Sequence, residues 1–215
     1  MIISRGRGYI FVHIPKTGGT AFALAMEARA KADDILIGDT PKAVKRRQRL
    51  KGVKTQGRLW KHSRLADVEG LVGREEFETL FALTLVRNPW DRVVSYYHWL
   101  QGQGFDHPAV DLAKTLGFAD FVAHPHTRAS LHSAPYGSYM TDSTGVEHCD
   151  LFVRIEEFAA DIAPFEDHLG FKLDLPVANT SARDRDWRTY YDENTARIVS
   201  QVCAVDIARF GYVYG

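Results

Sequence analysis

A glycine turn near the start of the sequence combines residue types that bind anions. An apolar stretch, residues 10–14, runs into the segment PKTGGT at residues 15–20 and then into a helix-forming segment. Adjacent glycines let the backbone approach a ligand closely, and the start of a helix presents unpaired N–H groups. Lys16 adds a positive charge, and Thr17 and Thr20 add hydroxyl donors. The combination predicts a cradle for a phosphate or sulfate ester at the carboxyl end of a strand.

The same segment is also compatible with a plain strand-to-helix connection, because Gly-Gly is common in such turns. The order of its residues differs from that of a Walker loop, in which the lysine follows the glycines and directly precedes Ser or Thr. Here Lys16 comes before Gly18 and Gly19. An ordinary ATP or GTP loop is therefore disfavoured.

A second set of anion-binding residue types follows the apolar segment 80–86, which we expect to be a central strand. Arg87 comes directly after that segment, and Asn88-Pro89 is suited to cap and begin a helix over residues 90–100. Ser95, in the second turn of that helix, can face the same crevice as Arg87. An arginine fork with a hydroxyl is suited to a second anion.

Each of these residues also has a structural alternative. Arg87 can form a salt bridge to Asp91 or Glu156, and Ser95 can make a helix-packing contact. The repetition favours a ligand, because two strand ends both present a cation and a hydroxyl beside a helix start. A ligand with two separated anionic groups would need that arrangement.

Two further features are candidates for contacts with a second substrate. Residues 42–54, the basic run, contain seven basic side chains and no acidic one. Such a run is typical of a solvated surface, and the alternative is a wall that attracts an anionic acceptor. His62 precedes Ser63, which we expect to cap a short helix over residues 65–72. Histidine titrates near neutral pH, so His62 is a candidate proton acceptor, although a lone histidine is often structural.

Composition restricts the class of protein. A chain of 215 residues with 45% hydrophobic residues predicts a single domain, residues 1–215, with one core. Lys+Arg and Asp+Glu both number 27, which argues against a nucleic-acid partner. Cys149 and Cys203 lack metal-ligand spacing, and His124 and His126 lack a supporting carboxylate or cysteine, so we expect neither metal nor disulfide. No segment approaches the ~18 apolar residues of a membrane span, and we expect a soluble, cytoplasmic protein.

Strands that alternate with helices predict an α/β fold in three layers, with a mostly parallel central sheet flanked by helices. The remaining predicted elements are a helix over residues 21–32, a strand over 151–155, a helix over 156–169 interrupted at Pro164, and a helix over 193–209 that ends before Gly211. Residues 102–148 lack a strong period and predict acceptor-binding loops and minor helices, one of them over 118–123.

Two motifs together, IPKTGGT at residues 14–20 and VRNPWDRVVSYY at residues 86–97, resemble those of the sulfotransferases that use 3'-phosphoadenosine 5'-phosphosulfate (PAPS). The likeness is greatest to the branch that includes the carbohydrate sulfotransferases. RIEEF at residues 154–158 and the ending over residues 179–212 also resemble that branch. The resemblance implies a P-loop-like fold, PAPS as the sulfuryl donor, adenosine 3',5'-bisphosphate (PAP) as the product, and no required metal.

The resemblance also implies which residues bind the nucleotide. Arg87 and Ser95 would hold its 3'-phosphate, and the segment around Ser181 and Arg183 would close over it. The residues that would hold the 5'-phosphosulfate are Lys16, Thr17, Gly18, Gly19 and Thr20.

For the chemistry, the resemblance implies that His62 takes the proton of a hydroxyl-bearing acceptor, with a saccharide among the candidates. Lys16 would meet the charge that builds on the departing phosphate. Two other functions stay open: a nucleotide kinase-like phosphotransferase, and a non-catalytic protein that binds adenosine bisphosphate or, through the basic run, a polyanion.

Overall fold

The computed structural model describes residues 1–176 and 183–215, which form two compact units. Of the described residues, the first unit contains 1–86 and 136–176, and the second contains 87–135 and 183–215. The strands are β1 (Ile2–Ser4), β2 (Tyr9–Val12), β3 (Ile35–Leu36), β4 (Phe81–Val86) and β5 (Leu151–Arg154). The α-helices are α1 (Gly19–Ala28), α2 (Pro41–Arg46), α3 (Arg74–Thr79), α4 (Pro89–Gln101), α5 (Pro108–Thr115), α6 (Phe118–Ala123), α7 (Pro125–His132), α8 (Phe158–Asp161), α9 (Ala163–Leu169), α10 (Glu193–Val202) and α11 (Ala204–Phe210).

The first unit is built on a five-stranded sheet with the order β3-β1-β2-β4-β5. Strands β2, β4 and β5 pair in parallel, whereas β1 is antiparallel to both of its neighbours. The reversal at β1 follows from the short connection to β2, which turns at Gly8 with φ of +67°. The prediction of an α/β fold with a mostly parallel central sheet flanked by helices is confirmed.

Aromatic packing fixes α1 and α9 on one face of this sheet. The ring of Phe11 in β2 lies 4.4 Å from that of Phe22 in α1, and Tyr9 meets Phe165 of α9 edge-on at 5.2 Å. All four side chains are fully buried. Burial of each such side chain contributes on the order of 1.5–3 kcal/mol, so α1 is held firmly at the end of β2.

Local hydrogen bonds correct two predicted helices of the first unit. Helix α1 ends at Ala28 instead of residue 32. The helix predicted over residues 65–72 is wrong, because that segment contains only a 3₁₀ turn, Ala66–Val68. Ser63 does not cap a helix, since its buried hydroxyl lies 2.9 Å from the Arg58 carbonyl oxygen and accepts the Trp60 N–H at 2.9 Å. Ser63 thus closes a tight turn that contains His62.

The second unit contains helices in the segment predicted to be loops. Residues 102–148 form α5 and α7 in addition to the expected α6, so more of this segment is helical than the one short helix located from the sequence. His107 and His124 each precede a proline, and their Nδ1 atoms accept the N–H groups of Ala109 and His126 at 3.1 and 3.2 Å. A histidine before proline therefore acts here as a helix cap.

The predicted interruption at Pro164 is confirmed, because α8 and α9 are separated at Ile162. The predicted helix over residues 193–209 is wrong as one element, since it is divided at Cys203 into α10 and α11. Gly211 ends α11 in the left-handed conformation with φ of +66°. Within residues 1–176 and 183–215, no helix has the length and apolar character to cross a membrane.

Candidate active site

The turn between β2 and α1 has an unusual backbone at Lys16. Its φ of +67° makes it the one non-glycine residue with positive φ in the described part of the chain. This left-handed conformation costs a non-glycine residue about 1–2 kcal/mol. The backbone at this position would therefore favour glycine, yet the chain has a lysine there. Such strain is typical of sites where a particular side chain is needed.

Backbone N–H groups accompany that lysine. Gly18 is left-handed with φ of +85°, and Gly19 begins α1. The Ala21 N–H donates to the Gly18 carbonyl oxygen at 3.0 Å. Within residues 1–176 and 183–215, no atom accepts a hydrogen bond from the N–H groups of Gly18, Gly19 and Thr20. Successive backbone N–H groups bind anions where a left-handed residue is followed by the start of a right-handed helix.

The hydroxyl of Thr17 supports the turn from inside. Its side chain is fully buried, and Oγ1 donates to the Ile14 carbonyl oxygen at 2.9 Å. Its hydrogen is therefore used to shape the loop, and the backbone N–H is the Thr17 group suited to a ligand.

The two glycines of the turn also make room for buried side chains. A Cβ at Gly19 would lie 2.2 Å from Cδ2 of the His13 ring, and one at Gly18 would lie 2.0 Å from Cδ1 of Ile155. This close packing explains why the motif has glycine at both positions, since a larger residue would not fit between the loop and the end of the sheet.

Substitution of Gly19 by alanine is expected to lower the free energy of unfolding by about 1–3 kcal/mol, because the added Cβ would overlap the ring of the buried His13. Chemical denaturation measures this change. Gly104→Ala is the matched control, since a Cβ there meets nothing within 4 Å and its φ is not positive. His13→Ala should restore part of the loss in the Gly19→Ala background, and a Gly19→Ala variant as stable as the wild type would contradict this packing.

His62 is joined to the beginning of the same turn. Its Nδ1 lies 2.7 Å from the His13 carbonyl oxygen, and the two rings meet edge-on at 4.7 Å. A carbonyl only accepts, so Nδ1 carries the hydrogen and the neutral ring has its basic lone pair on Nε2. The structure therefore brings His62 and the cradle together within the first unit, with His62 in a tautomer suited to accept a proton.

His13 itself is neutral. Burial, followed by the positive charges of the chain's amino group, His62, Lys61 and Lys16, holds the pKa of His13 well below its ordinary value. Its ring packs between the His62 ring and the backbone of Gly19.

Because the pKa of His13 is depressed in the folded protein, its contribution to stability is complete above pH 6.5 and is lost as the pH falls below that value. This contribution is therefore expected to be smaller at pH 5.5 than at pH 7.5. Urea denaturation at pH 7.5 and 5.5 measures it by difference from His13→Phe, which keeps a ring but does not titrate. Equal pH dependence in the two proteins would contradict a neutral His13.

In the second unit, one carboxylate joins two predicted phosphate-binding residues. Arg87 Nε donates to Asp91 Oδ2 at 2.7 Å, and Arg183 Nη2 donates to Asp91 Oδ1 at 2.6 Å. The side chains of Arg87, Asp91 and Arg183 are 18%, 15% and 12% exposed. The salt-bridge alternative for Arg87 is thus realised with Asp91, but two arginines on one carboxylate leave this cluster positively charged.

A buried arginine donor at this cluster is suited to bind an anion. The buried Arg183 Nη1 has no hydrogen-bond partner among the described residues. Buried charged donors are normally paired, so the cluster fits a phosphate group that completes it.

The sequence analysis did not predict that Asp91 binds both arginines of this cluster, or that His98 lies near Arg183. Asp91, Ser95 and His98 are spaced i, i+4 and i+7 on α4, which places them on one face, and this spacing was a usable signal. Ser95 is buried. Burial and the charge of Arg183 lower the pKa of His98, whose buried Nε2 has no partner within residues 1–176 and 183–215.

Nine of the ten predicted site residues lie in the described part of one unit or the other, and the tenth is Ser181. Ser181 lies outside the described residues. In the part of the chain that the structure describes, no group of three or more His, Cys, Asp or Glu side chains is arranged to hold a metal ion. The first unit holds Lys16, Thr17, Gly18, Gly19, Thr20 and His62, and the second holds Arg87, Ser95 and Arg183.

Comparison with known proteins decides the family. The sequence model of the sulfotransferase family matches residues 1–212. The chain belongs to the sulfotransferase family. The family match includes both units of this sulfotransferase and both anion-binding motifs. Among curated proteins, no sequence match to this sulfotransferase is found.

Its fold is similar to that of a solved mouse sulfotransferase, SULT7A1, whose crystal structure contains PAP. The TM-score is 0.51 at 17% identity, over 94% of this chain and 84% of the mouse chain. At this identity the likeness concerns the fold, and it confirms the P-loop-like α/β architecture of this sulfotransferase.

Proposed function

We propose that this enzyme transfers a sulfuryl group from PAPS to the hydroxyl of an acceptor. The observation that carries the proposal is the placement of the two cationic groups in the chain. The cradle with Lys16 follows β2, Arg87 directly follows β4, and these strands pair in parallel. Ligands of α/β folds bind at the carboxyl ends of such strands.

The two groups match the two anionic ends of the donor. In this proposal Lys16 and the N–H groups over residues 17–20 bind the 5'-phosphosulfate. Arg87, Ser95 and Arg183 bind the 3'-phosphate, and Ser181 remains a predicted contact. The mouse neighbour supports this assignment, since PAP carries both phosphate groups.

The reaction is an in-line displacement at sulfur. The acceptor oxygen forms a bond to sulfur as the bond between sulfur and the 5'-phosphate oxygen breaks, and PAP leaves with the bonding electrons. His62 Nε2 accepts the hydroxyl proton, and Lys16 with the turn N–H groups stabilises the charge on the departing phosphate. The proposal includes no metal, because these donors meet the charge.

The proposal treats residues 1–215 as a single sulfotransferase domain, supported by the family match over residues 1–212. A cytoplasmic location and the lack of a nucleic-acid partner remain predictions from composition. A saccharide acceptor remains a prediction from the resemblance.

A thermal-shift comparison of PAP with ATP plus magnesium tests the donor assignment. PAP at 100 times its Kd should stabilise the protein by about 2.7 kcal/mol, and ATP with magnesium should stabilise it less. Turnover is followed in parallel as PAP released from PAPS in the presence of acceptors. Greater stabilisation by ATP with magnesium would favour a phosphotransferase, and PAP binding without turnover across a broad acceptor panel would favour a non-catalytic binding protein.

A further inference from the structure

Five of the seven basic side chains in the basic run fall into two groups with different contacts. Lys42, Arg46 and Arg49 donate to backbone carbonyls at the carboxyl end of α1 and just beyond it. The partial negative charge of the helix end favours the Lys42 contact to the Glu27 carbonyl oxygen. Arg46 and Arg49 bond to the carbonyls of Lys31 and Ala32, so the three side chains hold residues 42–49 against α1 and the segment that follows it. Arg47 and Lys51 instead line a cavity of the first unit. The run is therefore neither a uniformly solvated surface nor a continuous basic wall.

The cavity has a strong excess of positive charge. Its volume is about 680 Å³, within the range of roughly 300–1,000 Å³ of small-molecule sites. Four cationic side chains line it, Arg47, Lys51, Arg58 and Lys61, against the single carboxylate of Asp39. Asp39 is paired with Lys61 at 2.8 Å, and this hydrogen bond lowers the pKa of Asp39. Arg47 Nη2 also lies 4.0 Å from Asp39 Oδ1. Because one carboxylate faces four cations, the lining keeps a net positive charge that favours an anionic ligand.

The rest of the cavity lining is largely apolar. Leu36, Leu50 and Leu59 contribute side chains, and Trp60 is 46% exposed. Among the described lining residues, Gln48 is the one neutral amide or hydroxyl side chain. A saccharide needs several neutral donors and acceptors, whereas this lining suits an anionic group attached to an apolar body.

The cavity adjoins the proposed base. Trp60, which lines it, meets the His62 ring edge-on at 5.1 Å, and His62 contacts His13 beside the cradle. His62 does not itself line the cavity, and the Trp60 ring connects the cavity to the residue that would deprotonate an acceptor.

We propose that this cavity is the acceptor site and that the acceptor is a hydroxylated amphipathic anion. Its carboxylate or sulfate group pairs with Arg47, Lys51 and Arg58, its apolar body packs against Trp60, and its hydroxyl faces His62. The inference rests on the proposed function, since the sulfuryl donor and the displacement at sulfur are those given above.

A matched pair of phenols tests it: 3-(4-hydroxyphenyl)propanoate and its primary amide, which differ in charge and little in size. The wild type should favour the carboxylate by about 10-fold in kcat/KM, and the preference should weaken as salt is raised. Isothermal titration of the PAP-bound enzyme measures binding of both compounds independently of transfer. The variant Arg47→Ala/Lys51→Ala should lose most of the preference through a raised KM for the carboxylate. Lys45→Ala, which removes an exposed charge of the basic run outside the cavity, should keep the preference.

Several results would overturn the acceptor proposal alone. These are no binding of the carboxylate to the wild-type PAP complex, an undiminished preference in the double variant, or a higher kcat/KM for methyl glucuronide, an anion without an apolar body. The PAP thermal shift of the double variant should equal that of the wild type. Loss of that shift in the wild type itself would instead reject the proposed function, so the two failures are distinguishable.

Discussion

Replacement of Lys16 by alanine is expected to reduce kcat by about 10²- to 10³-fold while the free energy of unfolding changes little. The side chain is assigned to the charge on the departing phosphate, which is greatest in the transition state. Stability should be preserved because lysine and alanine have a similar cost at a φ of +67°. Release of PAP from PAPS at saturating acceptor measures the first quantity, and chemical denaturation measures the second.

Lys16→Gly is the informative companion variant. Glycine adopts a φ of +67° without strain, so this variant should be more stable than Lys16→Ala by about 1 kcal/mol and equally inactive. A gain in stability with loss of turnover would show that the strained lysine is kept for chemistry. Normal turnover in either variant would remove Lys16 from the mechanism and with it the cradle assignment.

Replacement of His62 by alanine is expected to lower kcat by about 10²- to 10⁴-fold, the usual contribution of a general base, with PAP affinity nearly unchanged. The His13 carbonyl accepts the Nδ1 hydrogen at 2.7 Å and orients the ring, so proton acceptance is assigned to Nε2. Single-turnover measurement of sulfuryl transfer gives the rate, and titration with PAP gives the affinity.

His62→Asn separates the orienting contact from proton acceptance. The asparagine amide can still donate to the His13 carbonyl, but it cannot take a proton at neutral pH. It should therefore remain as inactive as His62→Ala. If either variant turned over normally, the base would have to be sought elsewhere, with the exposed His132 on α7 or an acidic residue as the next candidates.

Short-range signals in the sequence were sufficient for much of the architecture. The start of α4 is an example, because the Asn88 side chain accepts the Trp90 N–H at 3.1 Å and Pro89 occupies the first turn, as predicted. The strand before the cradle, the left-handed Gly18 and the end of the last helix at Gly211 were predictable for the same reason. Caps, glycine turns and apolar runs act over a few residues and are visible in the order of the chain.

Local signals failed where a side chain had more than one possible partner. Ser63 is a good helix cap by type, yet it closes its own turn on the carbonyls of Arg58 and Trp60. His107 and His124 lie in a segment without a strong sequence period, yet each caps a helix. These choices depend on which backbone groups lie nearby after folding.

The amino-acid sequence by itself determined the two anion-binding motifs, the alternation of strands and helices, and hence the class of fold. Only the tertiary structure decided that His62 meets His13 across 49 positions and that Arg183 meets Asp91, the partner of Arg87, across 92. It also decided that five side chains of the basic run divide between carbonyls at and beyond the end of α1 and a cavity. The reason is physical: local backbone preferences are encoded by neighbouring residues, whereas the partner of a charged or aromatic side chain is selected by the packing of distant segments against one core.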